Sequence, residues 1–135
     1  MGLINTLKVS ASGLAAERLR MDIIADNLAN ANSTRSATGE VYRRKVAVLQ
    51  PIPPSPAMPG GVRVVGIAHD ITPPRLVYQP GHPDADANGY VAYPNVDIVH
   101  EMVDLITASR AYEANLAAYN ATKTMFLRTL DLGRV

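Results

Sequence analysis

Asp84, Asp86, Asn88 and Gly89 come nearest to a chemical site, because D-x-[DN]-x-[DN]-G is the first half of a calcium-binding loop. The second half is missing. The closing position of such a loop carries a bidentate Glu, whereas here it falls on Asn95, behind Pro94, and Pro80, Gly81 and Pro83 stand where an entering helix is needed. The same residues suit a turn in which Asp and Asn side chains bond their own backbone and Gly89 takes a positive φ. The histidines, His69, His82 and His100, form no HExxH pair and the chain has no cysteine, so zinc has little to draw on. No G-x-S-x-G elbow, Walker A loop or G-x-G-x-x-G occurs. The expectation is no catalytic residue, no metal and no cofactor.

Composition narrows the remaining classes. A chain of 135 residues is one domain by length, and 47% hydrophobic with 19% charged residues describes neither a disordered tail nor a membrane protein. No run approaches the roughly 18 apolar residues of a membrane span. A net charge of +1 lacks the basic footprint that phosphate backbones require, so nucleic acid is not an expected partner. The absence of cysteine excludes disulfides but leaves the compartment open. The uncharged run from Val9 to Ala16 is short, contains Ser10 and Ser12, and is closed by Glu17 and Arg18, which does not read as a cleaved signal peptide. Any passage out of the cytoplasm would use another route.

Two long helices must position whatever this chain does. In residues 1–32, Leu7, Leu14, Met21 and Leu28 recur every seven residues, with Leu3, Ala11, Ile24 and Ala25 at the intervening offsets. Gly13 costs such a helix about 1 kcal/mol relative to Ala, so something must hold it. The run Asn27, Asn30, Asn32, Ser33 and Thr34 offers side chains that compete for backbone bonds and end helices. In residues 96–135, Ile98, Met102, Leu105, Ser109, Tyr112, Leu116, Tyr119, Lys123, Phe126 and Leu130 alternate by four and three. Asp97, Glu101 and Asp104 near the start, and Lys123, Arg128 and Arg134 near the end, complement a helix macrodipole, and Gly133 provides a stop. About 35 residues at 1.5 Å each make a rod of roughly 50 Å. A compact domain of this length is only about 37 Å across. The expected fold is therefore α+β: two terminal helices paired as an antiparallel, coiled-coil-like stalk beneath a small central β domain.

That central part, residues 33–95, holds Val41 to Leu49, Val62 to Ala68, Arg75 to Tyr78 and Tyr90 to Tyr93, short Val-, Ile- and Tyr-rich runs that read as strands. Residues 51–61 form a proline-rich loop. Arg43, Arg44 and Lys45 would alternate in direction along a strand, which reads as solvated surface. On the second helix a further line, Ala111, Ala114, Ala118 and Ala121, lies on a different face from the large residues, and Ala15 and Ala29 follow Leu14 and Leu28 in the same way. Small residues admit another helix, but Ala is also the best helix former on a solvated face. Spacing alone leaves both readings open.

Ser12-Gly13-Leu14, Met21-Asp22 and Asn27-Leu28-Ala29-Asn30-Ala31-Asn32-Ser33-Thr34 resemble the N-terminal signature of the bacterial flagellar rod and hook proteins. Arg110-Ala111-Tyr112-Glu113-Ala114-Asn115 resembles their C-terminal one. Between them, Pro80-Gly81-His82-Pro83-Asp84-Ala85-Asp86, Gly89-Tyr90-Val91 and Pro94-Asn95-Val96 are similar to one short member of that family. The resemblance implies a structural, non-enzymatic subunit of the basal-body rod, exported uncleaved by the flagellar type III apparatus and assembled in the periplasm with other rod proteins and copies of itself. It places assembly contacts at Leu7, Leu14, Met21, Asn27, Leu28 and Asn30, and at Met102, Leu105, Arg110, Ala111, Tyr112, Glu113, Ala114, Asn115, Leu116 and Ala118. It also turns the alanine line into a subunit contact. A calcium module and a non-flagellar coiled-coil adaptor forming a discrete dimer are the alternatives.

The calcium alternative has a direct check. Millimolar calcium should leave the melting temperature unchanged; a large rise abolished by Asp84→Ala would make the loop a metal site.

Overall fold

In the computed structural model, residues 2–56 and 58–133 are described, so Arg134 lies outside the described residues. The element order is α1 (Gly2–Ala29), β1 (Lys45–Ile52), β2 (Gly61–His69), β3 (Arg75–Tyr78), β4 (Tyr90–Tyr93) and α2 (Ile98–Leu132). The fold is α+β, with two long terminal helices flanking two small antiparallel sheets, β1–β2 and β3–β4. No described helix is long and apolar enough to cross a membrane.

The helices begin and end on local chemistry. Asp97 caps α2, its carboxylate accepting from the Val99 and His100 N–H groups. At the other end Gly133 stops the helix at φ −82°, so its left-handed freedom is not used. α1 ends where the Asn30 amide bonds back to the Asp26 carbonyl at 2.8 Å and the Ser33 N–H bonds to the Asn30 carbonyl. The two helices run antiparallel: Gly13 lies against Asn115, Arg20 faces Asp104, and Asn27 meets Glu101.

The hairpin departs from the expected layout, because β1–β2 lies along α1 instead of standing above the helix ends. Lys45 bonds to Asn27 near one end of α1, the Val62 N–H bonds to Ser12 farther along, and Ser55 and Met58 share a cleft with Ile4 and Lys8 near its start. The first strand also starts later than Val41: the Tyr42 hydroxyl and the Arg44 guanidinium reach the helices, and the Arg44 N–H bonds to Asn95 in the approach to α2. It continues through Pro51 and Ile52, which pair with Val62 and Gly61. A two-stranded ribbon leaves outer edges where the missing proline N–H is harmless. The remaining strands match their sequence runs to within a residue.

Gripped by α2 on one side and the hairpin on another, α1 buries Ser10, Ala16, Ile23, Ile24 and Asn27. This corrects the simple seven-residue seam: Leu7, Leu14, Met21 and Leu28 are half-buried, at the lip of the contact. On α2 the inner line runs through Glu101, Leu105, Ala108, Tyr112, Asn115, Tyr119, Thr122 and Phe126, all buried or half-buried. Leu105, Tyr112, Tyr119 and Phe126 belong to the expected stripe. Met102 and Leu116 do not pair with α1 as the stripe implied, being 55% and 39% exposed. An α-helix advances 3.6 residues per turn, so one line of a four-three stripe can face the partner while the other turns to the flank.

Truncation should separate these positions. Ile23→Ala, at 6% exposure, should lower unfolding free energy by about 2–5 kcal/mol in denaturant titration. Leu116→Ala should cost clearly less in the same assay.

Candidate assembly site

The joint between α1, the start of β1 and α2 is built on Asn27. Its Oδ1 accepts the Lys45 N–H at 2.9 Å and its Nδ2 donates to the Lys45 carbonyl at 2.8 Å. These are the two bonds a neighbouring strand residue would exchange, so a helix side chain stands in for one rung of a sheet. The Tyr42 hydroxyl also donates to Oδ1, at 2.9 Å. Nδ2 has a second acceptor, Glu101 Oε2, at 3.1 Å.

Glu101 is completely buried. A carboxylate removed from water needs a cation and further hydrogen bonds, and the Arg44 Nε meets its Oε1 at 2.5 Å. The Arg44 guanidinium also lies 3.6 Å from Asp104 and 4.0 Å from Asp70. Its backbone is held as firmly: the N–H donates to Asn95 Oδ1 at 3.1 Å and the carbonyl accepts from the Asp70 N–H at 2.8 Å. Lys45 completes the joint by binding Asp26 at 2.6 Å and lying over the Tyr42 ring. The Lys45 hydrogen bond holds the Asp26 carboxyl below its ordinary value. Burial, and then the charge of Asp26, push the Tyr42 hydroxyl well above its own. The basic cluster is therefore not a uniformly solvated surface: Arg43 is exposed, while Arg44 and Lys45 anchor the hairpin.

A second joint uses Ser12 and Gly13. The Ser12 hydroxyl donates to the Val9 carbonyl at 2.7 Å and accepts the Val62 N–H at 3.1 Å. Opposite it, Gly61 has φ +133°, and a Cβ there would stand 2.5 Å from Ser12 Oγ. A Cβ on Gly13 would stand 2.9 Å from the Asn115 amide. Adjacent residues thus bring the hairpin to one side of α1 and α2 to another.

Of the residues expected in assembly, Asn27, Leu105, Tyr112 and Asn115 face inward, with Leu7, Leu14, Met21, Leu28 and Ala111 half-buried at the margin. Asn30 is spent on ending α1. Met102, Arg110, Glu113, Ala114, Leu116 and Ala118 are exposed, and Ala121 with them. Sequence reasoning missed Tyr42, Arg44, Lys45, Asn95 and Glu101. One signal was available: Glu101 stands four residues before Leu105, where a helix facing a partner would carry an apolar side chain.

The loop after β3 binds no common centre. Asp84 accepts from Thr34 Oγ1 at 2.7 Å and pairs with Arg35 at 3.2 Å. Asp86 Oδ1 accepts instead from the Asn88 and Tyr90 N–H groups, and Gly89 has φ +82°, the turn arrangement. Among the described residues no three His, Asp or Glu side chains are grouped to hold a metal. A cleft of about 530 Å³ is lined by Ala31, Arg75, Pro94, Asn95, Val96 and Ile98 among others. It lies beside the first turn of α2.

A family model described as "Flagella basal body rod protein" matches residues 7–37, and one described as "Flagellar basal body rod FlgEFG protein C-terminal" matches residues 87–132. The chain is 46% identical to the flagellar basal-body rod protein FlgC of Salmonella typhimurium, covering 99% of this chain and 100% of that protein. It is 45% identical to FlgC of Bacillus subtilis, over 99% and 100% of the two chains, and 42% identical to FlgC of Borreliella burgdorferi, over 98% of each.

The two partners of the buried pair should fail unequally. Arg44→Ala strands the Glu101 carboxylate and should cost about 3–5 kcal/mol by denaturant titration. Glu101→Gln keeps an acceptor for Asn27 and leaves Arg44 beside Asp104 and Asp70, so it should cost less.

Proposed function

The chain belongs to the FlgC family of flagellar basal-body rod proteins, structural subunits of the bacterial flagellum, and on that premise we propose that it assembles through its two terminal helices with copies of itself and with other rod proteins. The observation that carries this reading is the unequal cover of the helices. α1 is packed on two sides by its own chain, whereas α2 meets α1 along one face and leaves Val99, Met102, Val103, Ile106 and Leu116 exposed. Exposed apolar side chains gathered on one helix favour a protein contact. Ala114, Ala118 and Ala121 stay open on another flank, where a neighbouring helix could approach closely.

The same reading places the subunit in the periplasmic rod. It reaches that place through the flagellar type III apparatus with no segment cleaved, and Leu3 to Leu28 hold the export information. It transmits torque and performs no catalysis. The Asp86 and Asp97 carboxylates hold a turn and a helix end, and the Asp84 carboxylate ties its loop to Thr34 and Arg35, so all three are engaged within the fold.

Genetics and substitution provide the test. Deleting the gene in its host should abolish motility and remove the rod from isolated basal bodies viewed by electron microscopy; intact rods would overturn the reading. In the complemented strain, Ala118→Leu should block rod assembly while export, solubility and circular dichroism stay normal. If Ala118→Leu and Ala114→Leu both assemble as wild type does, the alanine flank is not a subunit contact.

A further inference from the structure

The half-buried leucine line of α1 and the aromatic line of α2 do not by themselves specify how far α1 slides along α2. Leu7, Leu14, Met21 and Leu28 repeat every seven residues, and so do Leu105, Tyr112, Tyr119 and Phe126. Displacing one helix by a heptad, about 10.5 Å of rise, brings large apolar side chains back against large apolar side chains.

The neighbouring lines are not periodic. On α1 the line reads Gly13, Arg20, Asn27; on α2 it reads Glu101, Ala108, Asn115. Gly13 against Asn115 and Asn27 against Glu101 are fourteen residues apart on both helices, so the two contacts report one register. We propose that the Asn27–Glu101 and Gly13–Asn115 contacts are register pins, whose role is to select this alignment over its one-heptad neighbours.

A slide in one direction sets Glu101 opposite Arg20 and Gly13 opposite Ala108, which removes Glu101 from both Asn27 and Arg44. A slide in the other sets Asn115 opposite Arg20, where no glycine makes room. Single polar residues in otherwise repetitive helix contacts specify register in this way, at some cost in stability. Arg44 ties the alignment to the hairpin, because it pairs with Glu101 while the next residue, Lys45, is bound through Asn27 to α1. If the rod reading holds, a slipped subunit would present its α2 flank a heptad out of place to every neighbour. In a helical assembly of repeated heterologous contacts no neighbour could accommodate it.

The chain has no cysteine, so Asp22→Cys and Glu113→Cys, both at exposed positions, place two spin labels without further changes. Electron double resonance on the isolated protein should give one short distance in the otherwise unchanged chain. Glu101→Ala with Asn115→Ala leaves alanine at all three positions of the α2 line and should add a second population. Its distance should differ by roughly 4–8 Å, shorter or longer with the direction of the slide, as one heptad of rise projects onto the label vector. Glu101→Gln alone should keep a single distance. Should the double variant not fold, Gly13→Leu answers the same question, because it obstructs the native alignment and should produce a displaced population. A single unchanged distance in a folded double variant, or in Gly13→Leu, would overturn the proposal. Neither result bears on whether the chain belongs in a rod, which the deletion strain decides separately.

Discussion

The buried Glu101 carboxylate is the constraint around which this molecule is arranged. Leaving a charge in a helix contact without water is costly unless its oxygens are met, and each has one polar partner: Arg44 on Oε1 and Asn27 on Oε2. Those partners come from different segments, so meeting the charge brings α1, the approach to β1 and α2 together at one point. Asn27 extends the effect by replacing a strand neighbour for Lys45, and Asn95 by holding the Arg44 backbone. The joint is therefore at once a helix crossing, the root of a hairpin and the entry to α2.

α1 shows what it takes for one helix to be packed from two directions. Its fully buried apolar positions are Ala16, Ile23 and Ile24, with Ser10 and Asn27 as polar company, and its leucines are pushed to the margin. Ser12 and Gly13 are adjacent because successive residues point about 100° apart around a helix, the separation needed to serve the hairpin and α2 together. Gly13 weakens the helix by its propensity, and the space a Cβ would take beside it is filled by the Asn115 amide.

The asymmetry between the helices is what connects the fold to the assembly proposed for it. A hairpin laid along α1 uses up the second side of that helix within the chain, and no described strand does the same for α2. The family is one of rod subunits, and the assembly proposed here assigns the open flanks of α2 to neighbours.

How much of this was legible beforehand depended on the range of the interaction concerned. Both helices, β3 and β4, the turn at Gly89 and the α+β class were legible in the residues alone, because period, capping residues and positive-φ glycine act within a few residues of each other. The signature residues also pointed to the rod family. Which line of the α2 stripe faces inward is settled by packing, since a four-three repeat is compatible with either flank and Met102 and Leu116 take their places only once α1 is beside them. Packing likewise makes Arg44 and Lys45 anchors, because their partners Glu101 and Asp26 lie 57 and 19 residues away in the chain. The hairpin's course along α1 rests on the same cause: Ser12 meeting Val62, and Asn27 meeting Lys45, are contacts between distant segments that no local pattern encodes.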